Sequence, residues 1–222
     1  MPPTLRAVIF DFDGLIVDTE SIGYLSWREI FEANGHTLSV ETYSALVGTN
    51  FENAYDPRRD LEQRTGRSFD WPSLETQRRQ REIDLGRSLQ PLPGVLERLA
   101  EAHRLGLRTA IASSSTRDWI RMWMDRLQLA SQFHHFSTVD DTGHVKPHPS
   151  LFLHAASQLG VDHAEAVILE DSLNGLKAAQ AAGIRCIAAP SPMTQHLDFN
   201  GAWQRIPSLE ALSLETLLQN WP

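Results

Sequence analysis

The sequence predicts an α/β protein in which helices cover both faces of a parallel β-sheet. Short apolar runs alternate with segments whose apolar residues recur at helical spacing. These runs are apolar throughout, as expected for strands buried on both sides. Residues 18–88 break the alternation, because they carry helical patterns with no convincing strand between them. We therefore expect a parallel sheet interrupted by an inserted helical module.

The elements of the sheet region follow one another in a regular order. The predicted strands and helices alternate along the chain as "RAVIFDF", "GVLERLAEAHRLG", "LRTAIAS", "TRDWIRMWMDRLQL", "HHFSTVD", "PSLFLHAASQLG", "AEAVILED", "SLNGLKAAQAAG" and "IRCIAA". The order begins and ends with a strand, although the second segment follows the first only after the helical module. Strand–helix–strand units of this kind favour parallel strands joined by helices.

The helical module is predicted from four amphipathic segments, "ESIGYLSWREIFEANG", "SVETYSALVG", "FENAYDPRRDLEQRTG" and "WPSLETQRRQREIDLGRS". It ends at "LQPLPG", whose prolines stop the last helix. We predict one domain from residues 1–17 and 89–222, and a second from residues 18–88. The connections near Asp18 and Gln90 would act as hinges, with Asp18 as the N-cap of the first inserted helix.

Composition excludes several classes of function. The formal charge of the 222-residue chain is −8, which disfavours broad attraction to nucleic acid or to an anionic membrane. No apolar run approaches the roughly 20 residues of a membrane helix, and no signal-like segment is present. The single cysteine, Cys186, permits neither an intramolecular disulfide nor a cysteine-based zinc site. We expect a cytoplasmic protein, monomeric and without nucleic-acid or membrane partners.

Polar side chains follow several predicted strands at the point where each strand ends, and a lysine lies in a loop between them. These residues are Asp11 and Asp13, Ser113 to Ser115, Lys146 in "GHVKPHP", and Glu170 and Asp171. Ligands of open parallel sheets bind beyond the carboxyl ends of the strands, so these groups should converge on one edge.

Four carboxylates in one place repel one another unless a cation binds them or their pKa values rise. A site made of oxygen ligands, without cysteine or a clear histidine contribution, favours Mg²⁺ over zinc or copper. Lys146 and the Ser113 hydroxyl add a cation and a neutral donor. This mixture suits a tetrahedral phosphoryl group placed between the metal and the donors.

These stretches carry a resemblance to a known family. "DFDGLIVDTE", "ASSS", the lysine of "VKPHP" and "ILEDSLNG" resemble the four ordered motifs of the haloacid dehalogenase-like hydrolases. The chain is most similar to the β-phosphoglucomutase and sugar-phosphatase branch, which has a Rossmann-like core and a helical cap inserted after the first motif. Residues 18–88 are called the cap below.

The resemblance implies a Mg²⁺-dependent phosphatase of a small phosphorylated metabolite, such as a sugar phosphate. Asp11 would be the nucleophile that forms an aspartyl-phosphate, and Asp13 would be the acid and base. Mg²⁺ would be held by Asp11, the backbone carbonyl of Asp13, Asp171 and Glu170. The phosphoryl oxygens would be bound by Ser113, Lys146 and the Ser114 amide, and Gly14 would allow the turn after the first strand.

A β-phosphoglucomutase is the main alternative, because it shares all four motifs. In the mutases an arginine lies near the position of Asn50 and Phe51, a histidine occupies the position of Gly23, and a lysine occupies that of Thr116. These three departures favour a phosphatase, although the adjacent Arg117 could replace the lysine. A phosphoacceptor signalling domain is a weaker alternative, since such domains lack the second aspartate and the cap. A catalytically silent binding protein is disfavoured because every catalytic position is filled.

Specificity is predicted to lie in cap residues that face the site. The candidates are Gly48, Thr49 and Asn50 in "LVGTN" and the cluster of Arg78, Arg79 and Arg81. For the arginines, the solvated face of a helix is the favoured interpretation. Some polar and aromatic residues are assigned structural roles only: Ser115 as a helix cap, Trp27, Trp119 and Trp123 as packing residues, and His144 and His148 as residues without a metal.

Overall fold

The structure, a computed structural model, describes residues 3–51 and 55–222. Its centre is a six-stranded sheet with the strand order β3-β2-β1-β4-β5-β6, in which every neighbouring pair is parallel. The strands are β1 (Ala7–Phe10), β2 (Arg108–Ala112), β3 (His135–Ser137), β4 (Ala166–Glu170), β5 (Arg185–Ala188) and β6 (Gln204–Arg205). The predicted α/β class is confirmed.

Burial explains why the central strands are apolar throughout. All four residues of β1 are buried, and its side chains alternate between two hydrophobic clusters. Val8 and Phe10 belong to the cluster on one face, whereas Ala7 and Ile9 belong to the cluster on the other. The sheet therefore has a core on each face, and its ends are the parts left for a site.

Helices cover both faces of the sheet. Those of the sheet region are α5 (Val95–Arg104), α6 (Arg117–Leu127), α7 (Val139–Thr142), α8 (Ser150–Leu159), α9 (Leu173–Ala182) and α10 (Leu214–Gln219). Apolar residues of α5, α6 and α10 join the cluster of Phe10, and those of α8 and α9 join the cluster of Ile9. The short elements α7, β6 and α10 have no counterpart in the predicted pattern, because each is too short for its periodicity to be recognised.

The cap contains α1 (Thr19–Ala33), α2 (Val40–Tyr43), α3 (Pro57–Thr65) and α4 (Trp71–Leu85). The predicted helix "SVETYSALVG" is wrong in extent, since α2 ends after one turn and a 3₁₀ turn, Ser44–Leu46, follows. Part of the predicted third helix, residues 52–54, lies outside the described residues. Asp18 caps α1 as predicted, because its carboxylate accepts the Ser21 amide.

A third hydrophobic cluster holds the cap together. Its large members include Trp27, Phe31 and Leu61, which are fully or almost fully buried. Met193, from the loop after β5, also joins this cluster, so the cap packs against the sheet region. The division into domains at residues 17/18 and 88/89 remains a prediction. Within the described residues, no helix has the length and apolar character needed to cross a membrane.

Candidate active site

The site forms where β1 and β4, which are neighbours in the sheet, end. Asp11 follows β1, and its amide donates a 2.9 Å hydrogen bond to the carbonyl of Leu169 in β4. Glu170 is the last residue of β4, and Asp171 comes next. Carboxylate oxygens of Asp11, Glu170 and Asp171 lie within 4.8 Å of one another, and all three residues are buried. The predicted convergence therefore occurs for these three side chains.

Lys146 is the cationic partner of this acidic cluster. Its ammonium group contacts Asp11 Oδ1 and lies 2.8 Å from Glu170 Oε2, and the whole side chain is buried. Glu170 Oε1 accepts the Ser172 hydroxyl at 2.8 Å and the Ser172 amide at 3.0 Å. Glu170 thus has partners for both oxygens, whereas a single lysine cannot balance three carboxylates.

Asp171 differs from Glu170 in its hydrogen bonding. Both of its carboxylate oxygens are buried, and among the described residues no donor meets hydrogen-bond geometry with either. Ser191 lies near enough to lower the pKa of Asp171, but burial and the charge of Glu170 outweigh it and hold that pKa well above its usual value. Buried polar atoms without partners are rare in proteins, and two carboxylate oxygens beside other acids are consistent with a cation ligand.

The acidic cluster fits Mg²⁺. Its donors are all carboxylate oxygens, the ligands that hard divalent cations select. Burial, followed by the charge of Glu170, raises the pKa of Asp11 from 3.8 to about 8. A cation bound to Asp11 and Asp171 would favour their ionised forms and give the Asp171 oxygens a partner.

Gly14 allows the chain to pass close to Asp171. Its φ is +85°, a backbone conformation that glycine adopts without penalty. A Cβ at this position would lie 2.3 Å from Asp171 Oδ2. The predicted turn after the first strand is present, and the absence of a side chain leaves room for the metal ligand.

Asp13 points away from the acidic cluster and has four donors of its own. Its Oδ1 accepts the Thr19 hydroxyl at 2.6 Å and the Trp119 indole N–H at 2.8 Å. Its Oδ2 accepts the hydroxyls of Ser113, at 3.1 Å, and Ser115, at 2.7 Å. These bonds fix the orientation of the carboxylate between the sheet region and the start of the cap.

The serines after β2 do not all have the predicted roles. The prediction that Ser115 is only a helix cap is wrong, because its hydroxyl donates to Asp13 and Thr116 caps α6. The Ser114 hydroxyl donates to the Gly48 carbonyl at 2.9 Å and accepts the Lys146 amide at 3.1 Å. Ser114 thus connects the cap with the lysine loop.

A short cap segment, residues 47–49, lies directly on the edge of the sheet region. The Thr49 hydroxyl donates to the Lys146 carbonyl at 2.6 Å, and the Asn174 side-chain amide donates to the Val47 carbonyl at 2.9 Å. A Cβ at Gly48 would lie 2.4 Å from Ser172 Oγ, so glycine permits this contact. Asn50 instead lines a neighbouring surface cavity beside His144 and His148.

A cavity of about 180 Å³ lies between the cap and the sheet region, next to Asp13. It is lined by Asp13, Thr19, Glu20, Trp27, Tyr43, Leu46, Thr49, Phe51, Arg78, Arg79, Ser115 and Trp119. Sequence reasoning missed Glu20 and Tyr43, although both lie close in sequence to stretches it singled out. Burial and the charge of Asp13 hold the pKa of Glu20 well above its usual value.

The interpretation of the arginines and tryptophans needs correction. Arg78 is not on a solvated face, because it is buried and pairs with Glu75 and Glu82. Arg81 is half-exposed and pairs with Glu29, in agreement with a solvated face. Trp119 is not only a packing residue, since it lines the cavity and binds Asp13.

Trp27 and Trp123 have the packing role predicted for them. Trp27 and Trp123 are buried in the cap and sheet-region clusters, although Trp27 also reaches the cavity wall. The rings of His144 and His148 stack with their centroids 4.2 Å apart. In the part of the chain that the structure describes, the acidic cluster is the one group of three or more metal-binding side chains.

Comparison with known proteins identifies the family. The sequence profile of the haloacid dehalogenase-like hydrolases matches residues 8–189, which include all four motifs. This chain belongs to that family. The Bacillus subtilis protein YhcW is 37% identical over 97% of each chain. Hexitol phosphatase B of Escherichia coli is 30% identical over 98% of each chain.

The fold is shared with a solved β-phosphoglucomutase from Clostridium difficile. The TM-score is 0.81, with 98% of this chain and 97% of that chain covered and 20% sequence identity. At this identity the likeness shows a shared fold and does not decide between activities.

Proposed function

We propose that this hydrolase is a Mg²⁺-dependent phosphomonoesterase that acts on a small phosphorylated metabolite, with a sugar phosphate as the favoured class. The observation that carries the proposal is the buried acidic cluster, in which Asp171 accepts no hydrogen bond from the described residues and Lys146 contacts Asp11. Hexitol phosphatase B, a relative over the whole chain, supports the substrate class. A cytoplasmic location and a monomeric state remain predictions.

The residues divide the reaction into two displacements. A carboxylate oxygen of Asp11 forms a bond to phosphorus while the bond from phosphorus to the substrate oxygen breaks, and Asp13 protonates the departing alcohol. Asp13 then takes a proton from water, whose oxygen attacks the aspartyl-phosphate and releases phosphate and the Asp11 carboxylate. Asp11, Asp171, Glu170 and the Asp13 carbonyl would hold Mg²⁺, which neutralises charge on the phosphoryl oxygens.

Lys146, Ser113 and the Ser114 amide are proposed to bind the phosphoryl oxygens. The buried Lys146 ammonium is already held beside Asp11, so it supplies a fixed positive charge where negative charge develops. The 180 Å³ cavity next to Asp13 would receive the rest of the substrate. Thr49, from the predicted specificity segment, lies on its wall.

Two features of the structure favour a phosphatase over a mutase. Gly23, at the position of the mutase histidine, faces the hydroxyl of Tyr43, and even a Cβ there would lie 2.7 Å from it. Arg117, considered as a replacement for the mutase lysine, contacts Asp141 and lines a different groove. Neither residue is placed to hold a second phosphate in the cavity.

A phosphate-release screen tests this proposal. Sugar phosphates, phosphoglycolate and nucleotides are supplied with Mg²⁺, and the assay is repeated in EDTA. We expect release from at least one sugar phosphate that depends on the metal. Conversion of β-glucose 1-phosphate to glucose 6-phosphate in the presence of a bisphosphate primer, without free phosphate, would instead establish a mutase. A phosphoenzyme that persists for hours would revive the signalling alternative.

A further inference from the structure

Trp119 connects the cap to Asp13. It lies in the first turn of α6, where Thr116 caps the helix by accepting the Trp119 amide. The helix start therefore fixes its backbone, and its indole N–H donates to Asp13 Oδ1 at 2.8 Å. The ring is half-buried and forms part of the cavity wall. The side chain of Trp119 therefore both lines the cavity and binds the Asp13 carboxylate.

A residue of the cap contacts the face of the Trp119 ring. The guanidinium of Arg79, in α4, lies over the Trp119 ring, 4.7 Å from the ring centroid. Arg79 is itself held by Glu82, whose Oε2 lies 3.3 Å from Arg79 Nη1. One indole thus contacts a cap cation through its face and Asp13 through its edge. A cation on the ring face also draws electron density from the ring and strengthens the N–H as a donor.

The two carboxylate oxygens of Asp13 accept hydrogen bonds from different parts of the chain. Oδ2 is bound by two serines of the sheet region, Ser113 and Ser115. Oδ1 is bound by Thr19, the first residue of the cap helix α1, and by Trp119, which the cap covers. Movement of the cap would therefore disturb the Thr19 bond to Oδ1 directly and the Trp119 bond through loss of the Arg79 contact, while leaving the bonds to Oδ2 in place.

We propose that Trp119 is a positioning residue for Asp13, and that the contact of Arg79 with its ring couples the orientation of this carboxylate to the seating of the cap. The inference rests on the proposed function, because it assumes that Asp13 transfers the proton. Trp119 holds the Asp13 carboxylate at the cavity, and Arg79 makes that arrangement most stable when the cap is closed.

The contact itself is tested without any activity. The chain contains six tryptophans, so the indole N–H region of a ¹H–¹⁵N correlation spectrum is simple. Loss of one signal in Trp119→Phe assigns the indole of Trp119. In Asp13→Ala the proton signal of the Trp119 indole should move upfield, because its acceptor is gone. In Arg79→Gln it should move in the same direction by a smaller amount. An unchanged chemical shift of this proton in Asp13→Ala would overturn the proposal.

The positioning role is tested by changing the leaving group. Departure of 4-nitrophenolate needs little protonation, whereas a sugar alkoxide needs a well-placed acid. Since general acid catalysis is worth 10²–10⁴, partial misplacement in Trp119→Phe should lower kcat on the sugar phosphate about tenfold and on 4-nitrophenyl phosphate less than about twofold. Arg79→Gln should also lower kcat more on the sugar phosphate than on 4-nitrophenyl phosphate, but by a smaller factor. Arg79→Lys, which keeps the cation, should have kcat values close to those of the wild-type protein.

Trp123→Phe is the matched control. Trp123 lies one turn further along α6, is fully buried, and has an indole nitrogen with no partner among the described residues. This variant should lose stability but keep the wild-type ratio of the two kcat values. Equal losses on both substrates in Trp119→Phe would show a merely structural role and overturn the proposal. Wild-type protein that releases phosphate from neither substrate would refute the proposed function, and this role with it, while the indole signal would still report the contact.

Discussion

At the scale of single residues, the site depends on what each carboxylate has as a partner. Glu170 is satisfied by Lys146 and Ser172, Asp13 by four donors, and Asp171 by none that the described residues provide. Similar residues at neighbouring strand ends therefore have different hydrogen-bond environments. Asp171 is the position that most requires a cation, so it gives the sharpest residue-scale predictions.

Asp171→Asn should separate metal binding from folding. The amide removes one charge from a buried acidic cluster, so the variant in EDTA should be at least as stable as the wild-type protein. Mg²⁺ should raise the melting temperature of the wild-type protein, since a ligand that binds only the folded state stabilises it. The same addition should have little effect on the variant. An equal Mg²⁺-induced shift in both proteins, followed by scanning calorimetry, would place the metal elsewhere.

Gly14→Ala should abolish activity by placing a methyl group where Asp171 lies. Gly35→Ala is the matched control, because Gly35 also has a positive φ, +78°, but nothing lies within 4 Å of a Cβ there. Each alanine should cost about 1–2 kcal/mol of unfolding free energy for the left-handed backbone. Only Gly14→Ala should also lose Mg²⁺-dependent turnover. Urea unfolding and a phosphate-release assay measure the two effects, and an active Gly14→Ala protein would contradict this geometry.

At the scale of elements, helix N-caps and loop contacts determine how the helices of residues 18–88 meet the site. Asp18 ends the loop after β1 and begins α1, so one residue fixes both the helix start and the approach of Thr19 to Asp13. Residues 47–49 then return to the sheet region through Asn174, Ser114 and Lys146. The cap is thus held at its entry and again at its middle.

Asp18→Ala should destabilise the protein without removing a catalytic group. Loss of the hydrogen bond from the Ser21 amide to the side chain of residue 18, the N-cap of α1, should lower the free energy of unfolding by about 1 kcal/mol. Asp18→Asn keeps an acceptor and should lose less stability. Chemical denaturation of both variants measures the difference. Equal stability of Asp18→Ala and wild type would show that the α1 start is held by packing alone.

Thr49→Val should weaken the contact of the cap with the lysine loop. The valine keeps the shape of threonine but cannot donate to the Lys146 carbonyl, so a net loss of about 0.5–1.5 kcal/mol is expected for the closed arrangement. Because this energy is available only when the cap is seated, KM for a sugar phosphate should rise more than kcat falls. A change confined to kcat would mean that Thr49 does not act through cap seating.

At the scale of the whole molecule, the sequence was sufficient for the five longer strands of the sheet and for the acidic cluster, but not for the short elements β6, α7 and α10. Strands such as "AVIF" are buried on both faces and read clearly, and parallel strand ends must meet at one edge, which brings Asp11, Glu170 and Asp171 together. The cavity was harder to predict. The contact of Arg79 with Trp119 depends on how the cap docks on the sheet region, and no local periodicity encodes that docking.

We propose Asp11 as the nucleophile of a metal-dependent phosphatase, and phosphate release by an Asp11→Asn variant tests this role. The variant is compared with the wild-type protein in Mg²⁺ on the best substrate of the screen, after mass spectrometry has excluded deamidation and circular dichroism has shown a native fold. Phosphate release by the Asp11→Asn variant should fall to the background rate. Full turnover by a folded, undeamidated Asp11→Asn protein would contradict this role.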